Sequence, residues 1–316
     1  MQRGYAMRQK VCIILNPIAG KGHALKTLPQ IERLLNKHHA DYTLTVTNGS
    51  GHAKDIAQTT DADTVVAAGG DGTCNEVANG LMNQARHIRS AFAVLPIGRG
   101  NDFAYSAAMP RSLELSIDSI LHGKSIPLDV GFVKGGYFPD GRYFVNGVGM
   151  GFDTKVGFEA AKMKHIHGAL GYALGAIIMV ARFEPSPILE MRYGDHCLTQ
   201  PAILTSVVNG KRMGGSFFMG PKAVLNDGLL DFCTVRHPNT RRRLLKLLVQ
   251  YTKGTQSTSE ETTMGRAASF AIRAVQGGIS AHCDGETICE NGSYLEITCV
   301  PSALRLISPL AEGASL

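Results

Sequence analysis

Thr64-Val-Val-Ala-Ala-Gly-Gly-Asp-Gly-Thr-Cys-Asn-Glu-Val77 is the stretch on which the reading of this chain turns. An apolar, β-branched run (Thr64, Val65, Val66, then Ala67 and Ala68) stops at two glycines. An aspartate, a third glycine and a threonine follow, and Asn75 and Glu76 open a helix. Strand, tight turn and helix start in that order make an anion site. Glycine lets the backbone approach closely, and the first helical N–H groups point outward. Asp71 stands out, because a carboxylate repels a phosphate unless a cation lies between them. The stretch therefore predicts a nucleoside triphosphate held with Mg²⁺. An ordinary βα turn of a doubly wound sheet would use the same residues.

Working outward, the pattern repeats. Short buried-type strands over 11–15, 42–46 and 91–95 alternate with helices over 27–38 (Leu28, Ile31, Leu34, Leu35 on one face) and 53–58. Such alternation predicts a mostly parallel α/β sheet with helices on both faces, which binds ligands beyond the carboxyl ends of its strands. Four polar loops, 16–22, 47–52, 69–75 and 96–102, fall there. Neither Asn16-Pro-Ile-Ala-Gly-Lys-Gly22 nor Gly69-Gly-Asp-Gly-Thr73 matches the Walker A or dinucleotide fingerprints. In the fourth loop, Asn101 and Asp102 read equally well as a helix N-cap.

Beyond a helix at 113–121 the chain turns strand-rich. Strands are expected at 127–134 and 142–147 around a hairpin turn at 137–141, then after a helical segment at 153–183. Further strands are expected at 188–192, 197–200, 202–209, 229–236, 269–274, 278–283 and 294–300, a sandwich-like pattern.

Composition fits a globular protein. The 316 residues are 44% hydrophobic with 36 glycines, and the net charge of +6 suits anionic partners such as nucleotides or an acidic membrane surface. No nucleic-acid partner is expected. The seven cysteines are odd in number and lack a C-x-x-C pair, which argues against a disulfide framework or a zinc site and predicts a reducing, cytoplasmic location. His165 and His167 lack a third ligand at suitable spacing and are read as no metal site. The first residues carry charges and only a five-residue apolar run, so no secretory signal is expected. The longest uncharged apolar stretch, 168–181, is too short to cross a bilayer. Contact with a membrane would then be peripheral. One candidate is the amphipathic helix at 239–251, with Leu244, Leu247, Leu248 and Tyr251 on one face and Arg241–Arg243 with Lys246 carrying charge. The same pattern fits a helix packed on its own domain.

Taken in order, Asn16-Pro17, Thr47 ahead of Gly51-His-Ala53, Gly69-Gly-Asp-Gly-Thr73 with Asn75-Glu76, and Pro96-x-Gly-x-x-Asn101-Asp-Phe-Ala104 resemble the diacylglycerol kinase catalytic domain of bacterial lipid kinases, a family related to sphingosine and ceramide kinases. Asn209-Gly210, Gly214-Gly215, Pro221-x-Ala223, Asn226-Asp-Gly-Leu-Leu-Asp231 and Asp284-Gly-Glu286 are similar to its second-domain motifs. The resemblance covers almost the whole chain. It implies an N-terminal α/β nucleotide-binding domain like those of NAD kinases and phosphofructokinases (8–125 with about 301–310), and a C-terminal β-rich sandwich that binds lipid (126–300).

The implied activity is transfer of the ATP γ-phosphate, with Mg²⁺, to the hydroxyl of a membrane lipid, first of all diacylglycerol, giving phosphatidic acid. Asn16, Thr47, Gly69, Gly70, Asp71, Gly72, Thr73, Cys74 and Asn75 are then the ATP contacts. Asp71 acts on the catalytic Mg²⁺ through water. Position 99 carries Arg99 where the family has threonine, and arginine can reach a phosphate itself or point to solvent. Asp284 is implied to be the general base; by residue pattern alone, Asp-Gly here is a hairpin turn. Glu286, two residues on in an extended strand, would face the same side and orient a metal-bound water. The carbonyls of Val224 and Leu229 with the Asp227 carboxylate are implied to hold a second, structural Mg²⁺; a plain Asp-Gly turn fits there too. A kinase of another lipid alcohol or of NAD, or a non-catalytic relative, would share many of these motifs. The sequence is compatible with a homodimer and does not fix oligomeric state.

Overall fold

The computed structural model describes residues 9–162, 169–238 and 240–309, the side chains of 160–162 and 169–173 excepted. His165 and His167 lie outside the described residues. The chain divides into two compact units, one running through Leu128 and resuming at Ala303, the other spanning Asp129–Ser302.

The first unit begins Lys10–Leu15 (β1), Ala19–Lys37 (α1), Asp41–Val46 (β2), His52–Thr59 (α2), Thr64–Gly69 (β3), Asp71–Asn83 (α3) and Ala91–Pro96 (β4). Asp102–Ser106 (α4) and Leu113–His122 (α5) follow. The strands pair in parallel in the order β2-β1-β3-β4. Every residue of β3 is buried, as are five of the six in β1, which requires cover on both faces and explains their unbroken apolar runs. This order places the topological switch point between β1 and β3, where open α/β sheets bind ligands. Helix α1 is regular only from His23, because Gly20, Lys21 and Gly22 all have positive φ; the loop expected at 16–22 survives inside it. Helix α3 starts at Asp71, four residues earlier than expected, so most of the glycine turn is the helix's first turn.

The second unit comprises the rest: Lys124–Gly135 (β5, which enters from the first unit), Phe138–Phe144 (β6), Gly147–Gly151 (β7), Phe152–Lys162 (α6), Ala169–Arg182 (α7), Ile188–Tyr193 (β8) and His196–Val208 (β9). After these come Leu230–Arg236 (β10), Arg241–Lys253 (α8), Thr262–Ala267 (β11), Ser269–Gln276 (β12), Ile279–Cys283 (β13), Glu286–Gly292 (β14) and Tyr294–Ser308 (β15), whose end returns to the first unit. One sheet runs β14-β13-β7-β9-β10-β11; a second contains β9-β8-β12-β15 with β5 and β6. Between them lies a core including Phe144, Val148, Val207, Phe232, Phe270 and Ile297. Alternate residues of the first sheet, such as Val208 and Cys233, face instead a layer of α6, α7 and α8 built on Phe152, Met179, Leu244, Leu247 and Tyr251.

Three expectations are corrected. The β5–β6 turn lies at Gly136-Tyr137 rather than 137–141, since Gly135 pairs with Phe138 and both Gly135 and Gly136 have positive φ. The two strands expected at 197–200 and 202–209 are one, β9, whose first half pairs with β8 and second half with β7 and β10. Pro201 sits where it changes sheets. β11 and β14 fall outside the expected strands; β11 is only half-buried along most of its length and carries no apolar alternation. On α8, Leu244, Leu247 and Tyr251 are buried on their own unit, the alternative that the sequence left open.

Candidate functional site

In the first unit the four polar loops follow the carboxyl ends of β1 to β4. Asn16 joins the two loops at the switch point: its Nδ2 donates to Thr73 Oγ1 (3.1 Å), and its Oδ1 accepts the Ile18 N–H (3.2 Å). Thr47 is buried at the end of β2 and donates its backbone N–H to the Leu15 carbonyl. The Gly69 carbonyl accepts from both Ile97 and Gly98 (3.0 and 2.9 Å), drawing the third and fourth loops together. They approach so closely that a Cβ on Gly98 would lie 2.3 Å from Gly70 Cα. Gly70 is the N-cap residue of α3 and offers no side-chain cap, an arrangement that suits anion binding at a helix start. Gly72 is exposed at this start, whereas Thr73, Cys74 and Asn75 are buried. Arg99 is exposed on the fourth loop.

Asp71 has a partner that the sequence did not reveal. Its Oδ1 accepts the Phe103 N–H (3.0 Å), capping α4 from another loop. Asn101, at the N-cap position of α4, makes no side-chain cap; it sits at φ 51° and donates from Nδ2 to the Gly98 carbonyl. Glu76 was likewise missed as a cap: its carboxylate accepts the Ala53 N–H in the first turn of α2 (3.1 Å).

In the second unit, Cys283 pairs with Glu286, so Asp284-Gly285 is a two-residue hairpin turn with φ of 47° and 90°. The hairpin reading of the residues is therefore correct, yet the turn is unusual. Asp284 is only 8% exposed, and its carboxylate accepts three backbone N–H groups: Val145 at Oδ2 (3.0 Å), Asn146 and Gly147 at Oδ1 (3.2 and 2.7 Å). Its own N–H donates to the Gly147 carbonyl. Since Asp284 is a turn residue, strand alternation does not relate it to Glu286, and that geometric expectation is corrected. Glu286 is held by Arg142 at 2.7 Å.

A further pair was not foreseen. His282 Nε2 lies 3.3 Å from Asp153 Oδ2, while His282 Nδ1 accepts the Gly285 N–H. With Nδ1 an acceptor, Nε2 carries the proton and donates to Asp153. Gly149 makes room, since a Cβ there would fall 2.0 Å from Asp153 Oδ2 and 2.6 Å from His282 Nε2.

Ahead of β10, Asp227 Oδ1 accepts the Leu229 N–H and its Oδ2 pairs with Arg266 at 3.2 Å. Asp129 accepts from Gly228 (2.6 Å) and Ser302 (2.7 Å). Burial, reinforced by the charge of Asp227, pushes the Asp129 carboxyl up despite those hydrogen bonds; burial and then Asp227 push Asp231 up to about 6. Carboxylates raised in this way by burial and by one another suit a hard divalent cation. The motif Asn226–Asp231 includes Asp231, but the expected cation ligands included a single carboxylate, Asp227, and neither Asp129 nor Asp231.

Two family models match the chain: the diacylglycerol kinase catalytic domain over residues 10–133, and the YegS C-terminal NAD kinase beta sandwich-like domain over 146–308. A probable lipid kinase YegS-like of Cronobacter sakazakii is 30% identical over 249 residues, 78% of this chain and 79% of that one. A diacylglycerol kinase of Mycobacterium tuberculosis is 28% identical over 308 residues, 95% of each. The crystal structure of a diacylglycerol kinase from Bacillus anthracis superposes with a TM-score of 0.70 at 22% identity, covering 95% of this chain and 97% of the other, which shows the same fold. The resemblance in the sequence motifs and the α/β-plus-sandwich fold are both borne out. With one model matching more than half of its length, and another the nucleotide-binding part, the chain belongs to the bacterial lipid kinase family of the diacylglycerol kinase and YegS type.

Proposed function

We propose that this lipid kinase uses ATP and Mg²⁺ to phosphorylate the hydroxyl of diacylglycerol, yielding phosphatidic acid. The observation that carries this reading is Asp284: a buried carboxylate, fixed by three backbone N–H groups, in the motif to which the family resemblance assigns the general base. The first unit is the nucleotide side. Asn16, Thr47, the start of α3 and the Gly98–Asn101 loop hold the triphosphate, with Arg99 free to reach a phosphate from its exposed position. Bound ATP with Mg²⁺ would supply the phosphoryl group and neutralise the charge that develops on it. Asp71, oriented by the Phe103 N–H, would act on that ion through water.

The second unit is the acceptor side. Phosphoryl transfer has a loose transition state, so the hydroxyl proton moves late and a carboxylate suffices as acceptor. Positioning then contributes more than basicity, and Asp284 is positioned from three directions. Glu286 is steadied by Arg142 near the turn. Asp227 with the Val224 and Leu229 carbonyls would hold a structural Mg²⁺ that relieves repulsion among Asp129, Asp227 and Asp231.

Among the described residues no helix is long and apolar enough to cross a membrane. The lipid would be met from the surface. The outward face of α8 exposes Leu245 and Val249 beside Arg242 and Lys246, and the adjoining α7 exposes Ile177, a combination suited to an anionic bilayer surface.

The test is incubation of the purified protein with labelled ATP and, separately, diacylglycerol vesicles, sphingosine vesicles and NAD. Label in phosphatidic acid is expected. Label in NAD and in no lipid would overturn the reading.

A further inference from the structure

We infer that His38, Asp118 and His122 form a surface site for a divalent transition-metal ion of the zinc class. Asp118 and His122 lie one turn apart on α5 and share a face. His38 is the C-cap residue of α1, which packs against α5. One ligand atom from each of the three lies within 4.8 Å of the other two. His122 Nε2 is 3.5 Å from His38 Nδ1 and 3.9 Å from Asp118 Oδ1. Two imidazole nitrogens bound tetrahedrally to zinc at about 2.0–2.1 Å sit roughly 3.3 Å apart, close to the spacing already present here.

A second observation points to a cation. Helix α1 ends at Lys37 and α5 at His122, so both carboxyl-terminal helix ends, the negative poles of their dipoles, meet at this cluster. The Asp118 and His122 side chains are more than half exposed, leaving room for water to complete the coordination. Two imidazoles with one carboxylate favour zinc, nickel or copper over Mg²⁺, which prefers oxygen ligands throughout. The reaction's Mg²⁺ would therefore not compete. A bound ion would tie the end of α1 to the end of α5 and stabilise the folded chain by mass action.

The experiment is calorimetric titration of the full chain with Zn²⁺ in excess Mg²⁺, for the wild type and for His38→Ala, His122→Ala and Cys197→Ser. Metal-free melting curves confirm that the surface variants fold. One equivalent of Zn²⁺ is expected on the wild type and on Cys197→Ser. Each histidine variant should bind at least about tenfold more weakly, the loss that removing even a supporting partner of a ligand produces. Absence of Zn²⁺ binding to the wild type would overturn the inference. So would unchanged binding to the histidine variants, or loss of binding in Cys197→Ser, which would move the ion to the exposed thiol.

Discussion

Asp71 and Phe103 are joined across two loops, the carboxylate of one accepting the backbone N–H of the other at 3.0 Å. On the proposed function the aspartate has two separable tasks, a cap and a charge. Asp71→Asn keeps an acceptor oxygen and removes the charge, so phosphoryl transfer should fall by about 100-fold or more while the melting temperature barely moves. Asp71→Ala should in addition lose about 1 kcal/mol of stability with the cap. Steady-state kinetics and thermal unfolding separate the two, and an Asn variant of normal rate would leave Asp71 with the cap alone.

Asp284→Asn replaces one acceptor oxygen by an NH₂ group that faces backbone donors. Transfer should vanish while ATP still binds, and the chain should lose about 1–3 kcal/mol because a buried N–H is left unpaired. Retained activity at a matching stability loss would show that Asp284 only shapes its turn.

Close approach of glycines predicts the behaviour of the nucleotide loops. A methyl at position 98 meets Gly70 Cα and Asn101 Oδ1 at 2.3 and 2.6 Å. Gly98→Ala should destabilise by about 1–3 kcal/mol and weaken ATP binding, measured as a smaller rise in melting temperature on adding nucleotide.

The His282–Asp153 pair supports the turn that carries Asp284, through the Gly285 N–H. His282→Gln, which retains polar atoms, should lower kcat with little change in the KM for ATP. Gly149→Ala, by driving a methyl into the pair, should do the same at a larger cost in stability. Equal loss of ATP affinity in either variant would point to a general folding defect.

Thiol reactivity offers a check on burial. Burial pushes the Cys233 and Cys299 thiols up to about 12 and raises Cys283 well above its ordinary range, so these remain protonated and unreactive through neutral and mildly alkaline pH. Cys197 alone among the seven is exposed. Native maleimide labelling at pH 8 should modify one thiol quickly, with Cys197→Ser abolishing the fast phase.

What could be read beforehand follows physical range. Val65–Ala68 and Val11–Leu15 declare buried parallel strands because both faces are apolar, and a short window contains that information. The loops after them are equally local, so their positions were legible, although α3 begins four residues earlier than its pattern suggested. Positions of turns were not. Tyr137-Phe-Pro-Asp-Gly141 has turn composition, but the chain reverses one step earlier, where two glycines accept positive φ. Long-range partners were invisible in principle: Val145, Asn146 and Gly147 reach Asp284 over nearly 140 residues, and Asp153 reaches His282 over 129. Asp284 could be singled out only through the family resemblance, because its local pattern is a hairpin turn and the structure has one there.

The late return of the chain in β15 has a consequence for biosynthesis. Leu306 pairs with Phe92, and the Ala303 carbonyl receives Arg89 Nη1 at 2.6 Å, so the outer edge of β4 is completed by residues translated about two hundred positions later. While the ribosome works through the sandwich, that strand edge stays open to strangers. The nascent chain is thus open to mispairing at this edge until β15 has been made, and a chaperone that shields an unpaired β-edge would act there.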